Sequence, residues 1–439
     1  MVANYFFSSS LSAMRAQSQA FAAISDNISN ISTAGYKTSQ VQFDSLVSRS
    51  QKGSLYQSLN GAGPQVRNLI NRDGQVAYTN RNLDAAMVGR GFFYTNSALD
   101  NSGDTLLTKA GHFGRLQDSD PTTTNAYLSD GFGNYVMGWP YVPASDSFAV
   151  GTNESSLQPI RVDQGGIIFN ASPSTTGSIA ANLSADAAIG TSQSYSLDVL
   201  DGSGVERDAN GFVIQSSDKQ NMTFNWTKTA ANTWDLNINS TDGTITSPAA
   251  ADFPISVTFD STGLNPVMTT AGGTVLGDDV DVSASWTTPA GASNTVSVDL
   301  SGITQYAGGF ELRSVDSNGI EEGFLMDVSV DNDGIVQGAF SNGLSRPIAM
   351  LAVADVRAEN LLDRVSNTHF AVTEESGDIS LYRPDQTTRV AITGGAYEAS
   401  ATNLTDEVSL MIQTQRAYSS AATSLRTIDE MSQTATQLK

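Results

Sequence analysis

The chain has 439 residues, contains no cysteine and carries a formal net charge of −22 at pH 7. The missing cysteines exclude thiol catalysis, disulfides and cysteine-ligated metals, and the acidity argues against nucleic acid or an anionic membrane as a partner. A chain of this length exceeds one ordinary hydrophobic core, so we expect about two to four domains.

A helical pattern begins close to the N-terminus. Ser8 to Ser10 stand ahead of it and offer hydroxyl groups for an N-cap. Neither a basic segment followed by an apolar run nor a stretch of about 18 apolar residues occurs, so the sequence predicts no cleaved signal peptide and no membrane span. The apolar residues recur at steps of three, four or seven, the spacing of a coiled-coil seam, and they are Leu11, Met14, Phe21, Ile24, Ile28 and Ile31.

A polar segment, NISNISTAGYKTSQ at 27–40, follows this helix and predicts a hinge. Gly35 allows a sharp turn that a residue with a Cβ atom resists. Asn27, Asn30 and Thr33 can hydrogen-bond the backbone groups that become free where the helix ends.

The middle of the chain has the pattern of β-strands. TWDLNIN at 233–239 and FPISVTF at 253–259 alternate apolar and polar residues, and GFLMDVSVDNDGIVQGAF at 323–340 turns at Asp331–Gly334. That turn is a hairpin rather than a calcium loop, because Phe340 stands where an EF-hand needs a bidentate glutamate. The stretches 171–192 and 269–295, rich in Ser, Thr, Gly and Ala, are interpreted as small-residue strands and loops.

Charge is distributed unevenly along the chain. Residues 146–335 contain five basic residues against two dozen acidic ones, whereas residues 1–82 contain seven basic residues against three acidic ones. The acidic part is interpreted as a solvated exterior, with ordinary solubility as the alternative explanation.

A second helical pattern ends the chain. Asn403 can cap this helix, and Asp406 and Glu407 interact favourably with its N-terminal dipole. The apolar residues of its predicted contact face are Leu404, Val408, Met411, Tyr418, Ala422, Leu425 and Ile428.

The sequence does not point to catalysis. The two histidines, His112 and His369, have no neighbours at metal-ligand spacing, and His112 is interpreted as a surface or strand residue. Serine and aspartate are plentiful enough for a Ser–His–Asp arrangement, but no G-x-S-x-G elbow introduces a nucleophile. We therefore predict a protein that is not an enzyme, with no catalytic, metal or cofactor site.

An amphipathic helix is stable only if it buries its apolar stripe. The two terminal helices could pair with each other in one subunit, or they could pack among several copies of the chain. Our hypothesis is that both termini are largely unfolded in the free monomer and become helical on polymerisation.

The hinge resembles the N-x-x-N-x-x-T-x-G-Y/F-K signature of the flagellar axial proteins, the rod and hook subunits. Three further segments are similar to the same family: GRGFFYT at 89–95, LLTKAGHFGRL at 106–116 and the residues from 394 to 431. SNGLSRPIAMLAVADV at 341–356 resembles the strand along which the chain returns from the outer domains. The hinge residues that match the signature are Asn27, Asn30, Thr33, Gly35, Tyr36 and Lys37.

The resemblance implies a hook-type subunit that assembles into a curved helical tube, the universal joint between rod and filament. It implies a flagellar and extracellular location reached by the type III export route without a cleaved signal. The implied partners are copies of the chain itself, the distal rod, the hook cap, the hook–filament junction proteins and the export apparatus. A distal rod subunit is the nearest alternative, and an exported β-rich adhesin is a remote one.

The predicted fold class is α+β and multidomain, with N- and C-terminal coiled-coil helices paired into one core and mostly antiparallel β domains inserted between them. Four parts are predicted. They are a terminal helical domain at 1–32 and 402–439, a hinge and connector at 33–82 and 385–401, a β domain at 83–145 and 321–384, and an outer acidic β domain at 146–320.

Overall fold

The computed structural model describes residues 2–47, 59–118, 125–164, 166–204, 206–207, 213–215, 219–287, 292–386 and 389–437. Contacts divide the chain into two compact units. Unit 1 comprises Met1–Gly166, Met326–Ala339 and Ser345–Lys439, and unit 2 comprises Ile167–Leu325 and Phe340–Leu344. The described chain is mostly β-sheet with one helix at each end, which confirms the coarse form of the predicted fold class. The finer division into four parts remains a prediction.

Unit 1 contains both long helices, α1 (Val2–Ser29) and α2 (Leu404–Gln437). No helix in the described part of the chain is both long and apolar enough to cross a membrane. Two strands, Gly323–Val330 and Ile335–Phe340, span the chain positions at which one unit ends and the other begins. The other strands of unit 1 are Ser39–Val47, Leu59–Asn68, Val76–Tyr78, Ala85–Gly89, Phe92–Asn96, Thr105–Thr108, Gly114–Gln117, Ala126–Ser129, Tyr135–Val142, Ser147–Phe148, Gln158–Pro159, Ser345–Leu351, Val353–Asp355, Asp363–Arg364, His369–Ala371, Ser380–Tyr382, Val390–Gly394 and Ala396–Glu398.

The ends of the two helices agree with the sequence in one case and differ in the other. At α2, the Asn403 side-chain oxygen accepts a hydrogen bond from the backbone N–H of Thr405 at 3.0 Å, so the predicted cap is confirmed. At α1, the prediction that Ser8 to Ser10 precede the helix is wrong, because the helix already begins at Val2. Neither glycine nor proline occurs before residue 35, so no strong helix breaker interrupts the segment ahead of the serines.

The main sheet of unit 1 brings distant parts of the chain side by side. Six neighbouring strands of this sheet lie in the order Ser345–Leu351, Tyr135–Val142, Phe92–Asn96, Thr105–Thr108, His369–Ala371 and Asp363–Arg364. The pairs are antiparallel, and the buried side chains of this sheet include Trp139, Phe92 and Phe370. The core therefore joins residues before and after the central insertion.

Unit 2 is a sandwich of two six-stranded sheets that share one hydrophobic core. Side chains of Lys219–Ala230 alternate between buried and partly exposed along the strand, as expected for a sheet with one covered face. The strands of unit 2 are Ile168–Phe169, Thr176–Ser184, Ser192–Leu200, Glu206–Arg207, Val213–Gln215, Lys219–Ala230, Thr233–Asn239, Gly243–Ser247, Ile255–Thr258, Val267–Thr269, Val275–Leu276, Asp279–Trp286, Ser293–Asp299, Thr304–Tyr306 and Glu311–Ser317.

These strands confirm the β interpretation of the middle of the chain. The two alternating segments form Thr233–Asn239 and Ile255–Thr258, and the stretches rich in small residues contain Thr176–Ser184 and Asp279–Trp286. Small side chains form strands here because each strand still contributes alternate apolar residues to the core of the sandwich.

The predicted hairpin turn at Asp331–Gly334 is also confirmed. The Asp331 side chain accepts hydrogen bonds from the backbone N–H groups of Asp333 at 2.9 Å and Ile335 at 2.8 Å. Gly334 has a φ of +72°, which glycine adopts without strain. The aspartate oxygen is therefore engaged in shaping the turn.

We expect Ile255→Ala to destabilise unit 2 by about 2–5 kcal/mol, because Ile255 is 0% exposed and its truncation leaves a cavity. The matched control is Ile189→Ala, whose side chain is 70% exposed and whose loss should change the free energy of unfolding by less than about 0.5 kcal/mol. Urea unfolding followed by tryptophan fluorescence measures both variants, since Trp226, Trp234 and Trp286 all lie in this core. Equal effects of the two substitutions would contradict the prediction.

Candidate functional site

The hinge between α1 and the following strand is the place where the two ends of the chain meet. Asn27 is buried there and uses both ends of its amide. Its oxygen accepts hydrogen bonds from the Tyr36 hydroxyl at 3.0 Å and the Ser39 backbone N–H at 2.9 Å. Its nitrogen donates to the Ser39 carbonyl at 2.8 Å and to Glu407 Oε1 at 3.1 Å. One side chain therefore connects the end of α1, the outgoing strand and the first turn of α2.

Asn30 and Thr33 shape the turn at the end of α1. The Asn30 amide donates to the Asp26 carbonyl at 2.9 Å, so a carbonyl group near the helix end is satisfied. The Asn30 oxygen accepts from the Thr33 hydroxyl at 3.1 Å and from the Asn367 amide at 3.0 Å. Asn30 and Thr33 therefore hydrogen-bond at the helix end as expected. Asn30 also contacts Asn367, which is far away along the chain.

Gly35 is required for two reasons. Its φ is +69°, in the left-handed region, and a Cβ atom at this position would lie 2.5 Å from the backbone nitrogen of Ala110. Gly111, which follows Ala110, is constrained by close approach alone, since a Cβ there would lie 1.5 Å from the carbonyl oxygen of Ala85. The glycine of the hinge and that of the KAGHF segment thus permit close backbone contacts within the same region.

A buried cluster of charged groups lies next to this turn. Lys37 Nζ donates to Glu398 Oε1 at 2.7 Å and to the Arg72 carbonyl at 2.6 Å, and it lies 3.4 Å from Asp73 Oδ1. Lys109 Nζ lies 3.3 Å from the same Asp73 oxygen. The side chains of both lysines are almost fully buried, so their charges depend on these partners.

The pKa values of the cluster reflect the competition between burial and pairing. Burial alone raises the pKa of Asp73, but the charges of Lys109 and Lys37 outweigh it and hold that pKa below its usual value. Burial and the neighbouring Lys37 charge lower the pKa of Lys109, and Glu398 and Asp73 offset this only in part. The negative charge of Asp73 is therefore stabilised by the folded structure.

Arg364 covers the hinge from the returning part of the chain. Its guanidinium carbon lies 4.9 Å from the centre of the Tyr36 ring and 5.6 Å from that of Phe370, a cation–π geometry. It also donates a hydrogen bond to the Lys37 carbonyl. Burial raises the pKa of the Tyr36 hydroxyl despite this nearby positive charge.

The predicted contact residues of the two helices differ widely in burial. Ile24 is buried, whereas Phe21, Leu404, Val408 and Tyr418 are exposed. Phe21 and Tyr418 line one pocket between α1 and α2, so the structure does bring these two together. The half-buried members of the predicted set are Leu11, Met14, Ile28, Ile31, Met411, Ala422, Leu425 and Ile428.

Sequence reasoning missed the small residues of α1. Ala16, Ala20 and Ala23 are more deeply buried than the large residues of the predicted seam apart from Ile24. They recur at steps of four and three, which is the same helical spacing, but alanine carries too weak a hydrophobic signal to be picked out. The best-buried stripe of α1 is therefore a narrow one formed largely by small side chains.

The structure does bring a serine, a histidine and an aspartate together. His369 Nε2 lies 2.6 Å from Asp130 Oδ2, and the Ser366 hydroxyl lies 3.0 Å from His369 Nδ1. The histidine is 1% exposed and the aspartate 3% exposed, so a substrate cannot reach the imidazole. Asp130 also accepts hydrogen bonds from the backbone N–H of Phe132 and from the Asn134 side-chain amide. The Asp130–His369 pair therefore stabilises the loop at 130–134. His112, by contrast, is half exposed, as expected for a surface residue.

Family models match three parts of the chain. The model described as "Flagella basal body rod protein" matches residues 7–37, which include the hinge residues Asn27 to Lys37, and "Flagellar basal body rod FlgEFG protein C-terminal" matches residues 393–438. The model "Flagellar basal body protein FlaE D2 domain" matches residues 170–320, a region in which sequence reasoning found no resemblance. Two termini joined at a shared hinge around a β insertion define a flagellar axial protein.

The chain belongs to the flagellar hook protein family. It is 30% identical to the flagellar hook protein FlgE of Rhizobium meliloti, over 98% of this chain and 97% of the relative. It is 24% identical to that of Salmonella typhimurium, over 99% of this chain and 100% of the relative. The crystal structure of Helicobacter pylori flagellar hook protein FlgE2 covers 72% of this chain and 99% of its own length, with 13% identity and a TM-score of 0.39.

Membership of this family makes the chain a structural subunit of the bacterial flagellar hook. The family is one of structural proteins rather than enzymes. The alternative of a distal rod subunit is not favoured, because the relatives that match nearly the whole chain are hook proteins.

We expect Gly35→Ala to destabilise unit 1 by roughly 3–5 kcal/mol, because it adds a backbone clash to an unfavourable φ. The matched control is Gly133→Ala, whose φ of +97° is also unfavourable but whose Cβ would meet nothing within 4 Å. This control should cost only about 1–2 kcal/mol. Thermal and urea unfolding of both variants test the difference, and equal costs would show that the close approach to Ala110 is unimportant.

We expect Asp73→Asn to destabilise unit 1 at neutral pH and to matter less in acid. The pKa of Asp73 is lower in the folded than in the unfolded chain, so its contribution to stability is present above about pH 4 and disappears as the pH falls through the folded value. Urea midpoints of the variant and the native chain should therefore stay apart above about pH 4 and converge as the pH falls below it. Asp104→Asn, at an exposed aspartate, is the control and should give parallel curves.

Proposed function

We propose that this hook subunit self-assembles into an open, curved helical tube that acts as a universal joint between the rod and the filament. The terminal helices form the inner wall of that tube, and the acidic β domains lie on its outside. The Asn27–Lys37 hinge joins the inner and outer parts. The sequence also allowed α1 and α2 to pair as a coiled coil within one subunit. In the proposed assembly, that pairing is one of several helix contacts.

The observation that carries this proposal is the set of apolar side chains left exposed on both helices. On α2, the exposed residues Leu404, Val408 and Ile412 recur at steps of four and so form an apolar stripe that a single pair of helices does not cover. An unburied stripe is unfavourable for an amphipathic helix. Copies of the same helices are the simplest cover, because an axial lattice repeats one heterologous contact without closing. The exposed residues are Phe21, Leu404, Val408, Leu410, Ile412 and Tyr418.

The same observation supports the hypothesis that the terminal helices gain much of their stability on polymerisation. A monomer whose termini already resist proteolysis at low concentration would contradict it. Copies at the end of a growing tube would then order each incoming pair of helices.

The uneven charge supports different roles for the parts of the chain. The 24 acidic residues between 146 and 335 favour a solvated surface whose contacts are polar and can slide as the joint bends. The further proposed partners are the distal rod, the hook cap, the hook–filament junction proteins and the type III export apparatus, which takes an uncleaved N-terminal segment. No catalytic step is proposed.

Deletion of the gene tests the cellular role. A mutant of the hook subunit retains rods and lacks hooks and filaments, whereas missing rods would favour a rod subunit. Normal motility would contradict both assignments and would leave the adhesin as the remaining alternative.

We expect Val408→Asp to raise the concentration needed for polymerisation by more than about tenfold, because it places a charge on the exposed apolar stripe of α2. The matched control is Ser409→Asp, which adds the same charge one residue away on a polar position. Sedimentation and electron microscopy of purified protein measure polymer formation, and circular dichroism of the monomer checks the fold. Tubes formed equally well by Val408→Asp would contradict a helix-lined core.

A further inference from the structure

A small cavity of about 170 Å³ lies between α1, the strand Ser39–Val47 and the first turns of α2. We call it the hinge pocket. Its apolar wall is formed by Ala20, Ala23, Ile24 and Leu410, and its polar lining includes Thr38, Gln40, Arg72, Asp406 and Glu407. The volume is below the roughly 300–1,000 Å³ of pockets for drug-sized ligands, and it is well above the space that one water needs. The size suits a single large side chain.

Two buried polar atoms that line the hinge pocket have no hydrogen-bond partner in the described part of the chain. They are Glu407 Oε2 and Thr38 Oγ1, in residues that are 7% and 5% exposed. The other Glu407 oxygen is held by Asn27, so the carboxyl group is fixed with one oxygen unsatisfied. Because buried polar atoms in folded proteins are nearly always paired, these two atoms indicate a missing donor.

The chemistry of that donor follows from the walls. The lining contains two carboxylates, those of Asp406 and Glu407, and one positively charged side chain, that of Arg72. Burial raises the pKa of Glu407, although its hydrogen bond from Asn27 and the charge of Arg72 oppose that effect. A cation that donates hydrogen bonds would stabilise the ionised carboxylate, and an aliphatic stem would pack on the alanines and on Leu410. Arginine and lysine are the side chains with both properties.

We propose that the hinge pocket receives an arginine side chain from a terminal helix of a second copy of this chain. The inference rests on the proposed polymerisation and specifies one contact of it. Arg15 in α1 and Arg416 and Arg426 in α2 are exposed, and the structure gives them no hydrogen bond or ion pair with any described residue. The lining also includes Leu410, an apolar residue of α2 that is 39% exposed, so a neighbouring helix that packs against this side of α2 would bring its arginines to the pocket.

The first test removes the acceptors. Glu407→Gln keeps the shape of the side chain and its bond to Asn27, and Thr38→Val removes only the hydroxyl group. Each should raise the concentration needed for polymerisation of the full chain by about tenfold, the loss expected for one charge-assisted hydrogen bond. The matched controls are Asp429→Asn and Thr427→Val on the exposed surface of α2, which should leave it unchanged. Unchanged polymerisation of Glu407→Gln would overturn the inference.

The second test identifies the donor. One of Arg15→Gln, Arg416→Gln and Arg426→Gln should give the same rise, and its combination with Glu407→Gln should add nothing further, because the two residues act through one contact. Full additivity for all three arginines would overturn the inference. The inference would also be overturned if Glu407→Gln were non-additive with Arg72→Gln but additive with each of the three helix arginines. The donor would then belong to the same subunit.

The two levels of the hypothesis fail in different ways. If the native chain forms no tubes under any condition, the proposed function fails. If it forms tubes and Glu407→Gln forms them at the same concentration, only the inference about the hinge pocket fails. Monomer unfolding curves of each variant separate a loss of assembly from a loss of fold.

Discussion

The structure of unit 1 depends on buried polar groups that join the two ends of the chain. Lys37 and Glu398 are 361 residues apart in sequence, yet their side chains form a buried ion pair at 2.7 Å. Such a pair adds little net stability, because removing both charges from water costs nearly as much as their attraction returns. It instead favours one arrangement over others, since any displacement of either segment would leave a buried charge without its partner. In an axial subunit, that arrangement fixes where the helices leave the β body.

The helices themselves are held by a different kind of contact. Ala16, Ala20 and Ala23 bury a narrow stripe of α1, while larger apolar residues such as Phe21 and Val408 remain exposed. Small side chains let helices approach closely but bury little apolar area each. The intramolecular contact is therefore specific in geometry and modest in energy.

Unit 2 shows the opposite balance. Its two sheets enclose a large core that includes three tryptophans, and every buried residue of that core lies between Ile179 and Ile303. The acidic surface and the many polar strand positions are compatible with this because each strand buries only alternate residues.

The sequence by itself determined which segments are helical, which are extended and where the hinge lies, because these properties follow from local periodicity and from residues such as Asn27, Gly35 and Asn403. It also determined the family, through a motif in which the order of residue types is unusual. Only the tertiary structure decided that Lys37 meets Glu398, that Asn27 meets Glu407, that His369 and Asp130 fasten a loop, and that Ala110 lies against Gly35. Each of these contacts joins segments far apart along the chain, and a single sequence carries no local signal of which distant backbone will pass within 3 Å of it.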